Sequence, residues 1–510
     1  NMKYFIAFLI CTALITISSC RKDFTTSLST GNLEFSVDTL FLDTIFTNIS
    51  SSTYTLKVYN RSNKNITVPE VKLENGSNSS YRLNVDGIPG KNFNDIDILA
   101  KDSIFIFVET TINAANTTNP LYTDRILFDA GDKTQDVDLV TLVQDANFIF
   151  PDRDPVTLKV DSLTLNGEPT TLRGTFLDDD KLIFSKDKPT VIYGFAAVPE
   201  NKTLVIEAGA KVHFHENSGL IITKNASLKV NGTLEDKIIF EGDRLEPDFS
   251  NISGQWSSIW LQAGSKDNQI KHAIIKNGVV GVIVDSIGSS NSPTLTIENS
   301  EIYNSASFGI LGRGTNISGH NLVVGSAGQS SLSITNGGTY NFNHCTFANY
   351  WTNGIRLVPA VLINNFSRSF DTNAMEVTET TGNLNAANFT NCIIDGNDNV
   401  EFIINRAENS SVFNYNISNC MIKFNDTSNG FSNNTDLDFT SSFYQDIILN
   451  GNPDFKDNRN EDFIIGEESD AINKAANSTF STDILGIDRT TSPDIGAYQH
   501  IVFEKDDEEE

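Results

Sequence analysis

The chain has 510 residues, with 37 Lys and Arg against 65 Asp and Glu, for a formal charge of -28. So acidic a balance excludes a nucleic-acid binder, which needs a basic stripe to neutralise phosphates. Five cysteines at this length exclude a disulfide framework, so folding rests on burial, and the chain is long enough for two or more cores.

In chain order, the first element is an export signal over residues 1–19: Lys3 supplies a positive start and residues 4–16 form an apolar run too short to span a bilayer. The following Ile17-Ser18-Ser19-Cys20 resembles the lipobox of bacterial lipoproteins, in which cleavage precedes the cysteine and the cysteine is acylated. The resemblance implies an N-terminal lipid on Cys20, with no other cofactor expected. More than one acyl chain, at about 0.8 kcal/mol per buried methylene, anchors a protein stably without a membrane span. Arg21-Lys22-Asp23, within a linker over 20–31, looks like a partial surface-export signal of Bacteroidota lipoproteins. The implied location is the outer membrane, lipid-anchored and facing the cell surface.

Residues 32–148 read as strands at 34–41, 54–59, 98–109, 125–128 and 137–143, separated by Asn, Ser, Gly and Pro turns. About seven short strands without a helical period predict an immunoglobulin-like β-sandwich. The runs YTLKVYN (54–60), RLNVDG (82–87) and DSIFIFVE (102–109) also resemble a domain family of Bacteroidota proteins.

Beyond a linker at 151–155, residues 149–500 carry internal repeats: HAIIKN (272–277), NSEIYN (299–304), HNLVVG (320–325), HCTFAN (344–349), NCIIDG (391–396) and NCMIKF (419–424). Their offsets of 27, 21, 24, 47 and 28 residues fit one three-sided coil per repeat, with one divergent coil inside the 47. Gly281-Val282, Gly309-Ile310 and Gly354-Ile355 mark corners from which the next strand starts. The segments at 204–214, 219–222, 228–232 and 238–244 resemble the opening coils of pectate-lyase-like proteins. NPDF (452–455), SDAI (469–472), Asp488-Arg489 and PDIGAY (493–498) resemble that superfamily's closing motif. The fold class is therefore all-β, a sandwich followed by a right-handed parallel β-helix. The acidic run at the end of 501–510 reads as a solvated tail.

The chemistry this superfamily uses does not assemble in the sequence. Asn434-Thr435-Asp436 stands after Gly319-His320-Asn321, the reverse of the polygalacturonase order, and Asp178-Asp179-Asp180, Asp395 and Asp398 read as turn or surface carboxylates. Lys276 and Arg313 have no cluster to serve. His272, His320 and His344 share a repeat position with Asn299, Asn391 and Asn419, which favours corner capping over metal binding, and His213 and His215 share a strand face. Cys345, Cys392 and Cys420 share another position and read as an inert inward stack. No catalytic or metal-ligating residues are assigned. Trp256 and Trp260, four apart on an extended segment, would present one aromatic platform to a partner or a sugar. Five tripeptides resemble the O-glycosylation acceptor of exported Bacteroidota proteins, with Thr39, Thr44, Ser103, Ser162 and Ser286 as the hydroxyls.

The expected function is that of a non-catalytic surface lipoprotein. It would act as accessory subunit of an outer-membrane complex, foremost the β-barrel assembly machinery, with a β-barrel protein and other lipoproteins as partners and no nucleic acid. The alternatives are a glycan-binding or polysaccharide-cleaving surface protein and an adhesin.

Overall fold

The computed structural model describes residues 25–113, 120–129, 131–288, 292–371, 375–408 and 412–503. The signal segment, Cys20 and the acidic run 504–510 lie outside the described residues. The chain divides into two compact units, 1–145 and 146–510.

In the first unit, strands form where apolar residues alternate with polar ones. In Ser103–Thr110 the side chains of Ile104, Ile106 and Val108 turn inward while Phe105 and Phe107 face solvent. One sheet runs in the order Glu34–Phe35, Tyr54–Tyr59, Ser103–Thr110, Tyr81–Val85, Ile88–Gly90. The other runs Ser27–Leu28, Ile66–Leu73, Leu121–Phe128, Gln135–Gln144, Thr39–Phe46, with Asn92–Ile98 beside Ile66–Leu73. One core joins them, with Leu56, Val58, Ile106 and Val108 from the first and Val71, Ile126, Phe128 and Leu139 from the second. The strand expected at 98–109 is two strands, because Lys101 takes a left-handed φ of 61° and Asp102 N–H closes a turn onto Leu99 O.

Among the described residues the second unit is dominated by a sheet of 27 strands, almost all parallel, in which a strand pairs with the one about three further along. Thr190–Ile192, Lys211–Phe214, Ile238–Gly242 and Ala273–Lys276 stack in this way, and two further stacks run beside them. Each coil therefore contributes three strands around one continuous core, in which Leu204, Leu228, Ile270, Ile297, Ile317, Tyr340 and Phe389 lie buried. Asn147–Ile149 pairs with Thr190–Ile192, which makes it the first rung of this unit and corrects its expected place in the sandwich. Ser162–Leu165 and Glu168–Phe176 form an antiparallel hairpin on the opening coils.

One corner of the coils is set by residues in the left-handed region, where Asn is tolerated best after Gly. His272, Asn299, Asn321, His344, Asn391, Asn419 and Asp446 all take φ between 45° and 56° and stand in register. The corner residue of the third repeat is thus Asn321, and His320 belongs to the strand before it. Gly281 and Gly309 are needed for close approach: a Cβ on Gly281 would sit 2.6 Å from Gly309 O, and one on Gly309 2.6 Å from Ser331 O.

The closing segment lies over the outer face of one stack. Phe463, Ile484, Ala497 and Tyr498 pack on Val323 and Ala348, while Ile465, Ala471 and Ile495 pack on Ile393 and Met421. Strands such as Thr346–Asn349 and Ile393–Gly396 are consequently buried on both faces.

Candidate functional site

Trp256 is buried, stacks on Phe214 at 4.3 Å and donates from Nε1 to Lys276 O at 2.9 Å. Trp260 is half-buried on Ile259–Leu261, packs beside Leu163, Phe195 and Ile221, and donates to Asp285 Oδ2 at 2.7 Å. The expected shared platform is corrected: Trp256 precedes the strand and turns into the core, so the alternation of a single strand does not relate the two rings. Thr39, Ser162 and Ser286 are exposed, whereas Thr44 and Ser103 are half-buried. Asp285, next to Ser286, is held by both Arg313 and Trp260.

The other singled-out groups serve structure. Lys276 pairs with Glu241 at 2.8 Å. His213 is buried with Nδ1 3.2 Å from Gly242 O, while His215 is exposed and bonded to Asp243 at 2.8 Å, which raises its pKa, so the two do not share an environment. Asp395 is no turn carboxylate: it is buried in Ile393–Gly396 and accepts from Tyr350 Oη at 2.5 Å. Asn434 caps a short 3-10 turn, and Asp436 takes a two-point bond from Arg406. Cys345, Cys392 and Cys420 are fully buried on successive coils, and burial pushes the Cys392 and Cys420 thiols up. Among the described residues no three His, Cys, Asp or Glu side chains converge to hold a metal ion. No helix among them is long and apolar enough to cross a membrane.

The left-handed corners bond to one another and to the closing segment. Asn321 Nδ2 donates to Asn299 Oδ1 at 2.8 Å and to Thr482 O at 3.0 Å. Asn391 donates to His344 Nε2 at 3.0 Å and to Ala476 O at 3.1 Å, and its own Oδ1 accepts from Ala476 N–H at 2.7 Å. Burial lowers His344 to about 3, with the Arg489 charge adding to it. Arg489 is itself buried and brought down to about 10, with Asp483 and Asp494 pulling the other way. Its Nη2 donates to Ala497 O at 3.1 Å.

A cleft of about 710 Å³ lies beside the hairpin, lined by Leu172, Arg173, Tyr193, Phe195, His215 and Glu216 among others. Tyr193 stacks on His215 at 4.3 Å and meets Phe150 at a tilt at 4.9 Å. Tyr193 thus spends ring surface on its neighbours that a ligand would otherwise meet.

The most distinctive surface feature is a loop the sequence placed wrongly. Gly354-Ile355 starts no strand; the next one is Val361–Asn364, and the residues before it form an insertion. Ile355 and Leu357 are 88% and 89% exposed, while Arg356 between them points inward. Arg356 Nη1 and Nη2 bond Glu401 Oε2 and Oε1 at 2.7 and 2.5 Å, and Nη2 also meets Asn397 Oδ1 at 2.9 Å. Glu401, with no exposed surface, accepts further from Ala360 N–H and Asp398 N–H, both at 2.8 Å. Burial pushes the Glu401 carboxyl up and the Arg356 guanidinium pulls it back. A buried two-point clamp thus holds two apolar side chains out in solvent, where each exposes surface that association would remove from water.

The architecture defines an all-β protein with a large, mostly parallel sheet. No family model matches the chain, and no curated protein matches it. Among solved structures, it has a local likeness to a family 123 glycoside hydrolase from Clostridium perfringens, described in a study of glycolipid glycan hydrolysis. That likeness has 15% identity and a TM-score of 0.16, and covers 21% of this chain and 23% of that one, too little to bear on activity.

Proposed function

We propose that this protein is a non-catalytic, lipid-anchored accessory subunit of an outer-membrane complex, built as an immunoglobulin-like sandwich followed by a right-handed parallel β-helix. The sandwich reading is supported by strand order. With Glu34–Phe35, Tyr54–Tyr59, Ile66–Leu73, Tyr81–Val85, Ser103–Thr110, Leu121–Phe128 and Gln135–Gln144 lettered A to G and the remaining strands left unlettered, the five-stranded sheet begins A-B-E-D and the other carries C-F-G, with Thr39–Phe46 parallel to G. The β-helix reading is supported by the three-strand pairing period, and its hand by the strong preference of parallel crossovers for the right-handed connection.

The observation that carries the functional reading is the clamped loop with Ile355 and Leu357 outside and Arg356–Glu401 inside. A loop whose backbone is held in its presented position has less entropy to lose on association, which is how a docking surface gains affinity. Lipidation at Cys20 and exposure at the cell surface complete the proposal, with a β-barrel of the assembly machinery as first partner. Purification from native membranes in mild detergent tests it. The expected result is stoichiometric recovery of a β-barrel protein, together with palmitate labelling that Cys20→Ala abolishes. Recovery of the protein alone would contradict the subunit reading.

A further inference from the structure

Behind the clamped loop lies a small polar pocket of about 160 Å³, to which Asn251, Asn304, Trp351, Asn353, Arg459 and Glu461 contribute. At about 30 Å³ per water it holds roughly five, the room a single sugar ring occupies. Three features set it apart. First, Glu461 takes a left-handed φ of 62°. It closes the 3-10 turn Asn458–Asn460 in this conformation, and among the described residues it is the only glutamate there, in a chain that otherwise fills this region mainly with Asn and Asp. Second, its carboxyl accepts from Ser326 N–H at 3.1 Å and, among the described residues, makes no ion pair, although Arg459 lines the same pocket. Burial raises it to about 7. Third, among the described residues no group accepts from the Trp351 indole N–H, and the side chains of Asn353 and Arg459 make no hydrogen bonds, the bonds of Trp351 and Arg459 coming from their backbone.

The geometry points to a binding site for one pyranose unit of a glycan, with the carboxylate, amide and guanidinium groups bonding its hydroxyls beside the indole. The single carboxylate is too few ligands for a hard metal ion. An ammonium group would meet Arg459 as well as Glu461. A hydroxyl-rich ring uses both donors and acceptors, and an aromatic wall suits its C–H face. This site is separate from the docking surface, since Ile355 and Leu357 do not line it, and it stands whether or not the subunit reading holds.

The test is ligand-observed NMR of the full mature chain with glucose, galactose, mannose and N-acetylglucosamine, each titrated to about 50 mM. Saturable binding of at least one, with a dissociation constant on the order of 1 mM, is expected. Glu461→Gln, Arg459→Ala and Asn353→Ala should each weaken it by at least ~10-fold at an unchanged melting temperature. Arg459 and Asn353 are exposed, so their variants decide the matter should Glu461→Gln fold poorly. No saturable binding by any of the four sugars, or binding that the folded variants leave intact, would overturn the assignment.

Discussion

His344 illustrates how one residue ties backbone geometry to pH. It occupies a left-handed corner that neighbouring coils fill with Asn, and it is buried and neutral, its Nε2 accepting from Asn391. Its folded pKa of about 3 lies below the ordinary 6.5, so its contribution to stability is present above pH 6.5 and lost as pH falls towards 3. At about 1.4 kcal/mol per pKa unit, roughly 2 kcal/mol should go between pH 6.5 and 5. His344→Asn keeps the corner and removes the titration, so urea unfolding of the variant should show a flatter acid limb than the wild type. An identical limb would place the acid sensitivity elsewhere. Arg356 makes a second case. Arg356→Met leaves Glu401 buried without its partner, which should cost roughly 3–5 kcal/mol and open residues 351–359 to proteolysis. A loss under about 1 kcal/mol would mean that the clamp does not hold the loop.

Among the elements, the clamped loop is the one through which a partner would dock. Replacing Ile355 and Leu357 by Ser changes side chains that touch little of the protein, so the melting temperature should stay within a degree or two. Burying each on a partner is worth about 1.5–3 kcal/mol, so the double variant should weaken association at least ~100-fold in a pull-down with the native partner. Undiminished capture would remove the loop from the interface. The elements also show what the sequence made legible. The repeat at the left-handed corner was readable because Asn and His tolerate φ near 50°, and the register of Cys345, Cys392 and Cys420 followed from it. The placing of His320 failed by one residue because His and Asn both suit a corner and stand adjacent at 320 and 321. Asp395 looked like a surface carboxylate because nothing local reveals that the closing segment, some seventy residues later, covers its strand. The docking loop was invisible for a related reason: Gly354-Ile355 mimics the corner-and-strand pattern, and only the long-range pairing of Arg356 with Glu401 shows an insertion. Glu461 carried no sequence signal, since its backbone conformation is set by the turn before it.

Across the whole molecule, the second unit offers a long ordered surface whose coils are held by one core and sealed along one stack by the closing segment. The buried carboxylates and cations described above are committed to that construction, with the exception of Glu461. A body of this kind supplies rigidity and presented surface, which is what an accessory subunit contributes to a membrane complex. The most direct test places a photo-crosslinking residue at position 357 in cells and identifies the adduct by mass spectrometry. One dominant adduct with an outer-membrane β-barrel protein or a lipoprotein of its complex is expected, absent when the same residue is placed at the buried position 463. An uncrosslinked protein, or a diffuse set of unrelated adducts, would contradict it.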